Sequence, residues 1–574
     1  MTYRVWAPIP SSVELVRGEE RTAMSRGDGG HWSTEVAADE RDYAYSLDGG
    51  IPRPDPRSSW QPLGVHSPSR LVDHEAFGWT DALWCGMPLP GAVFYELHIG
   101  TFTPAGTFDG AIERLDHLVE LGIDAVELLP CNAFAGERGW GYDGCAWFAV
   151  HEPYGGPDGL KRFVDACHAK GLGVVMDVVY NHLGPAGNYL PEFGPYLTEA
   201  HQTPWGPAVN LDRAGSDEVR RYITDNALMW LRDYHIDGLR LDAVHALVYE
   251  RATHLLEQLS TEVAALSAQV RRPLFLIAES DLNDPRLVSP REAGGYGLDA
   301  QWADDVHHAL HANLTGETTG YYGDFGTLAA IAKALEGVFV HDGSWSTFRE
   351  RAHGRPVPPT VPGTRFVAYL QDHDQIGNRA TGDRISATLA DGLVKVGAAL
   401  VLTSACTPML FMGEEWGART PWQFFSDHEA ELGVAVSRGR RAEFAAHGWS
   451  TKDVPDPQDV ATFRASTLDW SELDGDREQD LLAWYRGLLA LRRGRPELTD
   501  GRRDRVAVTY DEDARWIVVR RGTLAVACNL GTDRQLLPLP GTPSAALLAS
   551  STGFVYSQGQ VEIDGASVVV LELL

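Results

Sequence analysis

The pattern of hydrophobic and polar positions changes twice along the chain and divides it into three regions. Residues 1–88 carry short β-like runs separated by turn signals such as Asp28-Gly29-Gly30, which predict a small β-sandwich. Over residues 89–500, apolar strands alternate with amphipathic helices, an alternation typical of parallel β/α architecture. Short β runs return over residues 501–574. We therefore expect a central β/α domain between two smaller β-domains.

Eight apolar runs in the central region are predicted to be buried parallel strands: residues 93–97, 125–129, 174–179, 238–242, 274–278, 298–302, 366–370 and 409–412. Amphipathic helices separate them. One begins after Asp109, ends near Gly122 and carries an apolar stripe at Ile112, Leu115, Leu118 and Val119. Residues 180–215, rich in Pro, Gly and Asn, are expected to form an enlarged loop after the third strand. Eight such units predict a closed (β/α)₈ TIM barrel.

Polar side chains stand at the ends of four of these strands, where a barrel of this kind builds its active site. They are Asp177, Asp242, Glu279 and Asp374. Arg240 and Asp242 are two residues apart on one strand, so their side chains share a face. A neighbouring guanidinium keeps a carboxylate charged, as a nucleophile requires. Taken alone, the pair resembles an ordinary buried ion pair more than a nucleophile with its partner.

Composition narrows the classes of partner and compartment. The formal net charge of −30 disfavours nucleic acid and anionic membranes as partners, because both would be repelled. The six cysteines contain no close CxxC pair, so neither a zinc knuckle nor a disulfide framework is indicated. The amino terminus lacks the charged and apolar regions of a secretory signal, and we expect a cytoplasmic protein. We also expect no metal and no cofactor.

Four segments match, in order, the four sequence regions of the α-amylase superfamily of glycoside hydrolases. They are residues 177–182, 238–245, 277–280 and 370–375. Any one of them would be a weak signal, but their joint occurrence is specific, and the resemblance extends from about residue 90 to about residue 430. It implies a TIM-barrel enzyme that cleaves bonds between sugars.

The resemblance also implies a role for each matching residue. Asp242 matches the catalytic nucleophile, Glu279 the general acid/base and Asp374 a third carboxylate that binds sugar hydroxyls. The implied substrate-binding residues are Tyr142, His182, Arg240 and His373, with Asp177 supporting the site or acting only as a structural acceptor. His182 and His373 would contact the sugar before the cut, with Tyr142 beneath it. In a retaining glycosidase the two reacting carboxyls stand about 5–5.5 Å apart, a separation that adjacent strand ends can supply.

Sequences outside the four regions resemble one branch of the superfamily, the trehalohydrolases. These sequences are residues 136–144, 373–379, 411–417 and 421–428. The branch implies malto-oligosyltrehalose as substrate, and an N-terminal domain that is immunoglobulin-like and similar to carbohydrate-binding modules. A glycogen branching or debranching enzyme stays open as an alternative. A non-catalytic carbohydrate-binding scaffold is the remote one, because all three carboxylates are present. A monomer or homodimer is expected.

The four regions do not explain why trehalose would fill the leaving-group side. That preference must come from loops at the barrel mouth. Candidates are Trp205, the pair His307-His308 and residues 378–384. Trp140, Trp205 and Trp422 could be subsite walls, and each could equally be packing. Some relatives bind calcium near these positions, but the sequence shows no further cluster of oxygen ligands.

Overall fold

The computed structural model describes residues 1–37, 40–446 and 454–574 and contains a closed barrel of eight parallel strands. All eight predicted strands are confirmed, and they follow one another around the barrel in chain order. Their bounds are Phe94–Leu97, Ala125–Leu128, Gly173–Val178, Gly238–Leu241, Phe275–Ala278, Ala300–Trp302, Phe366–Tyr369 and Thr407–Phe411.

Alternate positions on the strands fill the barrel interior. Phe94, Val175, Ile277, Trp302 and Tyr369 belong to one buried apolar cluster. The intervening residues join the larger core between the strands and the surrounding helices. Both faces of each strand are therefore buried, which is why the strands read as continuous apolar runs.

Helices surround the barrel. The longer ones are Gly156–Ala169, Ser216–Asp233, Leu255–Val270, Asp304–Thr315, Leu328–Gly337, Asp391–Leu402, Ala430–Ala446 and Asp476–Gly494. The shorter ones are Ile99–Phe102, Phe108–Ile112, Leu115–Leu121, Leu190–Phe193, His373–Gly377, Ile385–Thr388, Val460–Ala465 and Pro496–Thr499. Within the described ranges, no helix has the length and apolar character needed to span a membrane.

The helix predicted after Asp109 is divided into two, Phe108–Ile112 and Leu115–Leu121. The prediction that Val119 belongs to the buried stripe is wrong, because its side chain is 40% exposed. The buried residues of the second helix are Leu115, Leu118 and Leu121. Val119 lies one position beyond Leu118, at the edge of this stripe.

The enlarged segment after the third strand contains regular structure. Besides the helix Leu190–Phe193, it forms an antiparallel hairpin from the strands Leu197–Thr203 and Gly206–Val209. Trp205 lies in the turn of this hairpin and is 49% exposed. The hairpin therefore presents an aromatic side chain at its tip.

The N-terminal region consists of two antiparallel sheets, as predicted. One contains Thr2–Trp6, His31–Glu35 and Ser25–Arg26, and the other contains Glu20–Ala23, Val13–Arg17, Asp42–Leu47 and Ser69–Arg70. This region braces the barrel: the Trp6 ring packs on Tyr196, with centroids 5.1 Å apart, and the Tyr222 hydroxyl donates to the Pro56 carbonyl at 2.8 Å.

The C-terminal region is also built from antiparallel sheets. A five-stranded sheet contains Val506–Asp511, Trp516–Arg521, Leu524–Asn529, Ser567–Leu573 and Pro543–Ala549. A three-stranded sheet contains Gln535–Pro538, Gln560–Ile563 and Phe554–Ser557. Glu512 accepts hydrogen bonds from the backbone N–H groups of Leu328 and Ala329, which joins this region to a barrel helix. The domain boundaries near residues 88 and 500 stay predictions.

A buried histidine joins the chain entering the barrel to the amino-terminal ends of the strands. His168 contacts Asp81 through Nδ1 at 2.9 Å and Asp237 through Nε2 at 3.0 Å. The Trp84 ring stacks on His168, with centroids 4.6 Å apart, and its N–H donates to Asp237. Burial alone would lower the pKa of His168, but the two carboxylates raise it above the ordinary value.

We expect His168→Gln to lower the free energy of unfolding by about 3 kcal/mol near pH 6, because the variant removes the cation that Asp81 and Asp237 share. Among the described residues, Asp237 then keeps only Arg272 as a cationic partner, and Asp81 only His235. A raised pKa means that His168 contributes fully below its unfolded value of about 6.5. The contribution is lost as pH rises through the raised value. Urea unfolding of both proteins from pH 6 to pH 9 measures this, with exposed His66→Gln as control. A difference that stays constant over the range would contradict the assignment.

Candidate active site

The predicted polar residues meet at the carboxyl-terminal end of the barrel. Asp177 belongs to the third strand, Arg240 to the fourth, and Asp242 and Glu279 directly follow the fourth and fifth. Asp374 lies in the helix His373–Gly377 after the seventh strand. The closed order of the strands therefore gathers residues that are far apart in the chain at one mouth.

Arg240 organises the charges at this mouth. Its guanidinium is fully buried and donates to Asp242 Oδ1 at 2.8 Å and to Asp177 Oδ2 at 2.7 Å. It lies 4.3 Å from the centroid of the Trp302 ring, which supports it from within the barrel. Asn181 Nδ2 donates to the other oxygen of Asp242 at 2.7 Å. Both oxygens of Asp242 are thus fixed by donors.

The backbone after Asp242 brings Glu279 alongside it. Ala243 has a φ of 39°, in the left-handed region, and its N–H donates to Glu279 Oε2. Arg240 Nη2 lies 3.5 Å from the same oxygen. Burial raises the pKa of Glu279 well above its usual range; Arg240 opposes this, whereas the charges of Asp242 and Asp374 add to it. Glu279 therefore has the properties of an acid, and Asp242 those of a nucleophile.

His373 is held by a carboxylate for which the sequence predicted no role. Glu96 of the first strand accepts from His373 Nδ1 at 2.5 Å and from its backbone N–H at 3.0 Å. Burial alone would lower the pKa of His373, but Glu96 and Asp374 raise it to about 10. The protonated ring donates through Nε2 to the Tyr142 hydroxyl at 2.8 Å, which in turn donates to Asp177 at 2.6 Å.

Asp374 is the most open of the three predicted carboxylates, with 42% of its side chain exposed. Its Oδ1 accepts from Asn378 at 3.1 Å and lies 3.6 Å from His373 Nε2. Asp372 caps the short helix that carries it by accepting from the Gln375 N–H. Asp374 is therefore positioned on a rigid turn and still accessible to a ligand.

His182 and Trp205 form a stacked pair. Their ring centroids are 4.6 Å apart and their planes differ by 9°. Burial lowers the pKa of His182, which favours a neutral ring able both to donate and to accept. The contact places Trp205 beside the histidine that was predicted to bind the sugar before the cut. The geometry gives no support to the expectation that Trp205 contacts the leaving group.

The other aromatic candidates separate into two groups. His307 is buried and contacts the Leu370 carbonyl at 2.8 Å, and the stacked rings of Trp140 and Trp422 are also buried. These three side chains pack within the protein. His308, in contrast, is half-buried and packs on Tyr321, with centroids 5.0 Å apart.

Tyr321 belongs to a wall beside Glu279 that the sequence did not predict. A two-stranded hairpin, Trp345–Ser346 with Arg351–Ala352, carries Phe348 and Arg349 in its turn. Arg349 pairs with Asp281, two residues after Glu279, at 2.9 Å. Phe348 is 55% exposed and packs on Tyr321, with centroids 6.1 Å apart. We refer to His308, Tyr321, Phe348 and Arg349 as the hairpin wall.

One group of possible metal ligands lies together in the described part of the chain. It consists of His201, Asp212 and Glu250, outside the group of predicted catalytic residues. Arg213 Nη2 lies 2.9 Å from Glu250 and 3.4 Å from His201, and Arg213 Nε lies 3.3 Å from Asp212. A metal ion would have to compete with this guanidinium.

Comparison with known proteins agrees with the geometry. The family model described as alpha amylase, catalytic domain, matches residues 67–199, and a model described as a domain of unknown function matches residues 501–570. A crystal structure of a Salmonella typhimurium protein assigned as an alpha amylase superposes with a TM-score of 0.91 at 37% identity, covering 100% of this chain and 97% of that one. A Paenibacillus barengoltzii pullulanase, at 20% identity and a TM-score of 0.73, shares the fold.

Two curated relatives match over most of their length. The malto-oligosyltrehalose trehalohydrolase of Arthrobacter ramosus is 55% identical over 100% of this chain and 99% of its own. The malto-oligosyltrehalose trehalohydrolase of Saccharolobus solfataricus is 44% identical over 86% of this chain and 85% of its own. With this extent of identity and the carboxylates gathered at the barrel mouth, the chain belongs to the malto-oligosyltrehalose trehalohydrolases of the α-amylase superfamily.

Proposed function

We propose that the protein hydrolyses the α-1,4-glucosidic bond next to the terminal trehalose of malto-oligosyltrehalose, releasing trehalose and a malto-oligosaccharide with retained anomeric configuration. One observation supports this chemistry. Asp242 is held between Arg240 and Asn181, and the backbone N–H of Ala243, the residue after Asp242, fixes the buried carboxyl of Glu279. The substrate is inferred from the full-length relatives, which are named malto-oligosyltrehalose trehalohydrolases.

The two carboxyls divide the reaction into two steps. In the first, Glu279 gives its proton to the glycosidic oxygen, and a carboxylate oxygen of Asp242 attacks the anomeric carbon. The bond to trehalose breaks, and the remaining chain is esterified to Asp242. In the second step, Glu279 takes a proton from water, whose oxygen attacks the same carbon and releases Asp242 as the carboxylate.

The remaining predicted residues hold the sugar before the cut. Asp374 is proposed to bind its hydroxyls, His373 to share its Nε2 proton between the Tyr142 hydroxyl and the sugar, and Tyr142 to lie beneath the sugar ring. His182, on which the Trp205 ring stacks, is proposed to contact the same sugar. Arg240 and Asp177 are not proposed to react. Through their mutual hydrogen bond they hold Asp242 in place.

A branching or debranching enzyme would share this chemistry and differ in the acceptor, so the products distinguish these enzymes from a trehalohydrolase. Purified protein is offered maltotriosyl-trehalose and maltopentaose separately, and the released sugars are identified. Rapid release of free trehalose from the first, with little cleavage of the second, supports the proposal. New branches or debranched chains from glycogen would support the rival enzymes instead. Absence of any product would point to a non-catalytic scaffold. A monomeric or homodimeric state stays a prediction.

We expect Phe348→Ala to lower kcat/KM for maltotriosyl-trehalose about 10-fold, because the hairpin wall loses its exposed aromatic face beside the acid. Cleavage of maltopentaose should change less, so the ratio between the two substrates should fall. Initial rates on both substrates measure that ratio. Tyr510→Ala removes a partly exposed aromatic ring from the C-terminal region and serves as control. An unchanged ratio would remove Phe348 from the leaving-group side.

A further inference from the structure

Asp304 is a fourth carboxylate at the barrel mouth, at a position that the sequence motifs do not mark. It is the first residue of the helix Asp304–Thr315, separated by Ala303 alone from the sixth strand, Ala300–Trp302. That strand is hydrogen-bonded between the fifth and the seventh strands, whose following residues include Glu279 and Asp374. Asp304 therefore lies between the acid and the third carboxylate.

The side chain of Asp304 is turned toward the barrel axis. Its Oδ1 accepts a hydrogen bond from the hydroxyl of Tyr369. Tyr369 belongs to the interior cluster and packs on Trp302, with centroids 5.3 Å apart. A carboxyl anchored from inside the barrel must stand over the mouth, because the surrounding helices lie on the opposite side of the strands.

One oxygen of Asp304 is left for a ligand. Among the described residues, none donates a hydrogen bond to Oδ2, and no Lys, Arg or His lies within ion-pair distance of the carboxyl. The side chain is half-buried, so this oxygen has access to the cleft. Asp281, on the adjacent loop, differs in that it already pairs with Arg349. Burial raises the pKa of Asp304, and the charges of Asp374 and Asp281 raise it further, while Tyr369 and Arg240 oppose this.

We propose that Asp304 binds a hydroxyl group of the leaving trehalose, on the glucose joined to the bond that is cut. This inference rests on the proposed function and names a contact within it. The sugar before the cut already has Tyr142, His182, His373 and Asp374, from other strand ends. The leaving group must lie against Glu279, and the loops that follow the fifth and sixth strands form the wall on that side.

A second contact supports the leaving-group side. His308 lies one turn after Asp304 on the same helix face, and its ring packs on Tyr321 of the hairpin wall. Asp304, beside the cleft, and His308, in contact with Tyr321, therefore form one continuous surface from the cleft to the hairpin wall. A carboxylate that accepts from a sugar hydroxyl forms a charge-assisted hydrogen bond, stronger than one between neutral groups.

The test compares two leaving groups in Asp304→Asn. We expect kcat/KM for maltotriosyl-trehalose to fall about 10- to 100-fold, the usual effect of losing a hydrogen bond to a charged group. The inhibition constant of trehalose against hydrolysis of 4-nitrophenyl α-maltotrioside should rise by a similar factor. Hydrolysis of that aryl substrate itself should change less than about 3-fold, because its leaving group has no sugar hydroxyl.

Several outcomes overturn the proposal. Equal losses on both substrates would place Asp304 before the cut or in the scaffold, and an unchanged inhibition constant for trehalose would remove it from the leaving-group side. A shifted basic limb of the pH profile would show instead that it acts through Glu279. Tyr369→Phe, which releases the anchor, should give a smaller loss of the same kind. Asp116→Asn, at an exposed carboxylate, controls for charge.

The same assay separates this inference from the proposed function. If wild-type protein releases no trehalose from maltotriosyl-trehalose, the proposed function fails. If wild-type protein releases trehalose but Asp304→Asn binds trehalose as tightly as wild type, only the role of Asp304 fails. Thermal unfolding midpoints of each variant, measured in parallel, identify any loss that comes from misfolding.

Discussion

Replacing Asp242 with asparagine is expected to lower kcat/KM for maltotriosyl-trehalose by about 10⁴-fold, because an amide cannot form the glycosyl ester. Asparagine has the same shape, and its oxygen can still accept from Arg240. The loss should therefore come from chemistry rather than from disruption of the barrel. Near-wild-type KM for substrate and an unchanged thermal unfolding midpoint would accompany it.

The covalent intermediate gives a more direct test of the same residue. Maltotriosyl fluoride has a leaving group that needs little help from an acid, so it should esterify the nucleophile rapidly. Mass spectrometry of a peptic digest should find the added sugar on the peptide that contains Asp242. The adduct should be absent from Asp242→Asn and present in Glu120→Gln, whose altered carboxylate is exposed on the surface. An adduct on any other residue would refute the assignment.

The buried charges around Arg240 explain why Glu279, rather than Asp242, acts as the acid. The Arg240 guanidinium contacts Asp177, Asp242 and Glu279 together, and one guanidinium cannot balance three ionised carboxyls. Asp242 has both oxygens fixed by donors. Burial raises the pKa of Asp177 to about 7, despite its contact with Arg240, and that of Glu279 well above its usual range. The raised pKa of Glu279 therefore favours its protonated form, which the general acid requires.

Much of the fold was predictable because parallel barrels impose a simple sequence pattern. Strands buried on both faces must be continuous apolar runs, and all eight were found in this way. The positions of Asp177, Asp242 and Glu279 followed from a second rule, that such strands place their following residues at one mouth. The divided helix after Asp109 was missed because its apolar spacing continues across the break.

The rest of the site depends on contacts that no local pattern records. Glu96 and His373 are 277 residues apart in the chain, and nothing in the sequence near Glu96 indicates that it contacts His373. Asp304 is one acidic residue of a helix start, where acidic residues are common. What distinguishes Asp304 is the hydrogen bond from the hydroxyl of Tyr369, on the neighbouring strand, which holds its side chain over the barrel mouth. Trp205 was a candidate from the sequence, but its stacking on His182 depends on the hairpin that carries it.

Replacing Glu279 with glutamine is expected to lower trehalose release by about 10³-fold, because the leaving oxygen then departs without a proton. The pH profile should change as well. In wild-type protein, activity falls as pH rises through the raised pKa of Glu279, because the acid form is lost. The variant has no such group, so its remaining activity should show no basic limb that comes from Glu279.

The dependence on the leaving group decides whether Glu279 acts in both steps. Maltotriosyl fluoride needs little acid catalysis, so Glu279→Gln should still form the ester on Asp242, and this ester should accumulate because no base activates water. Azide is a nucleophile that needs no base; it can attack the anomeric carbon, release the Asp242 carboxylate and give an α-glycosyl azide. Recovery of turnover with azide in Glu279→Gln, but not in Asp242→Asn, would establish the two roles separately. If azide restored neither variant, Glu279 could not be the acid/base, because blocked ester release is the defect that azide corrects.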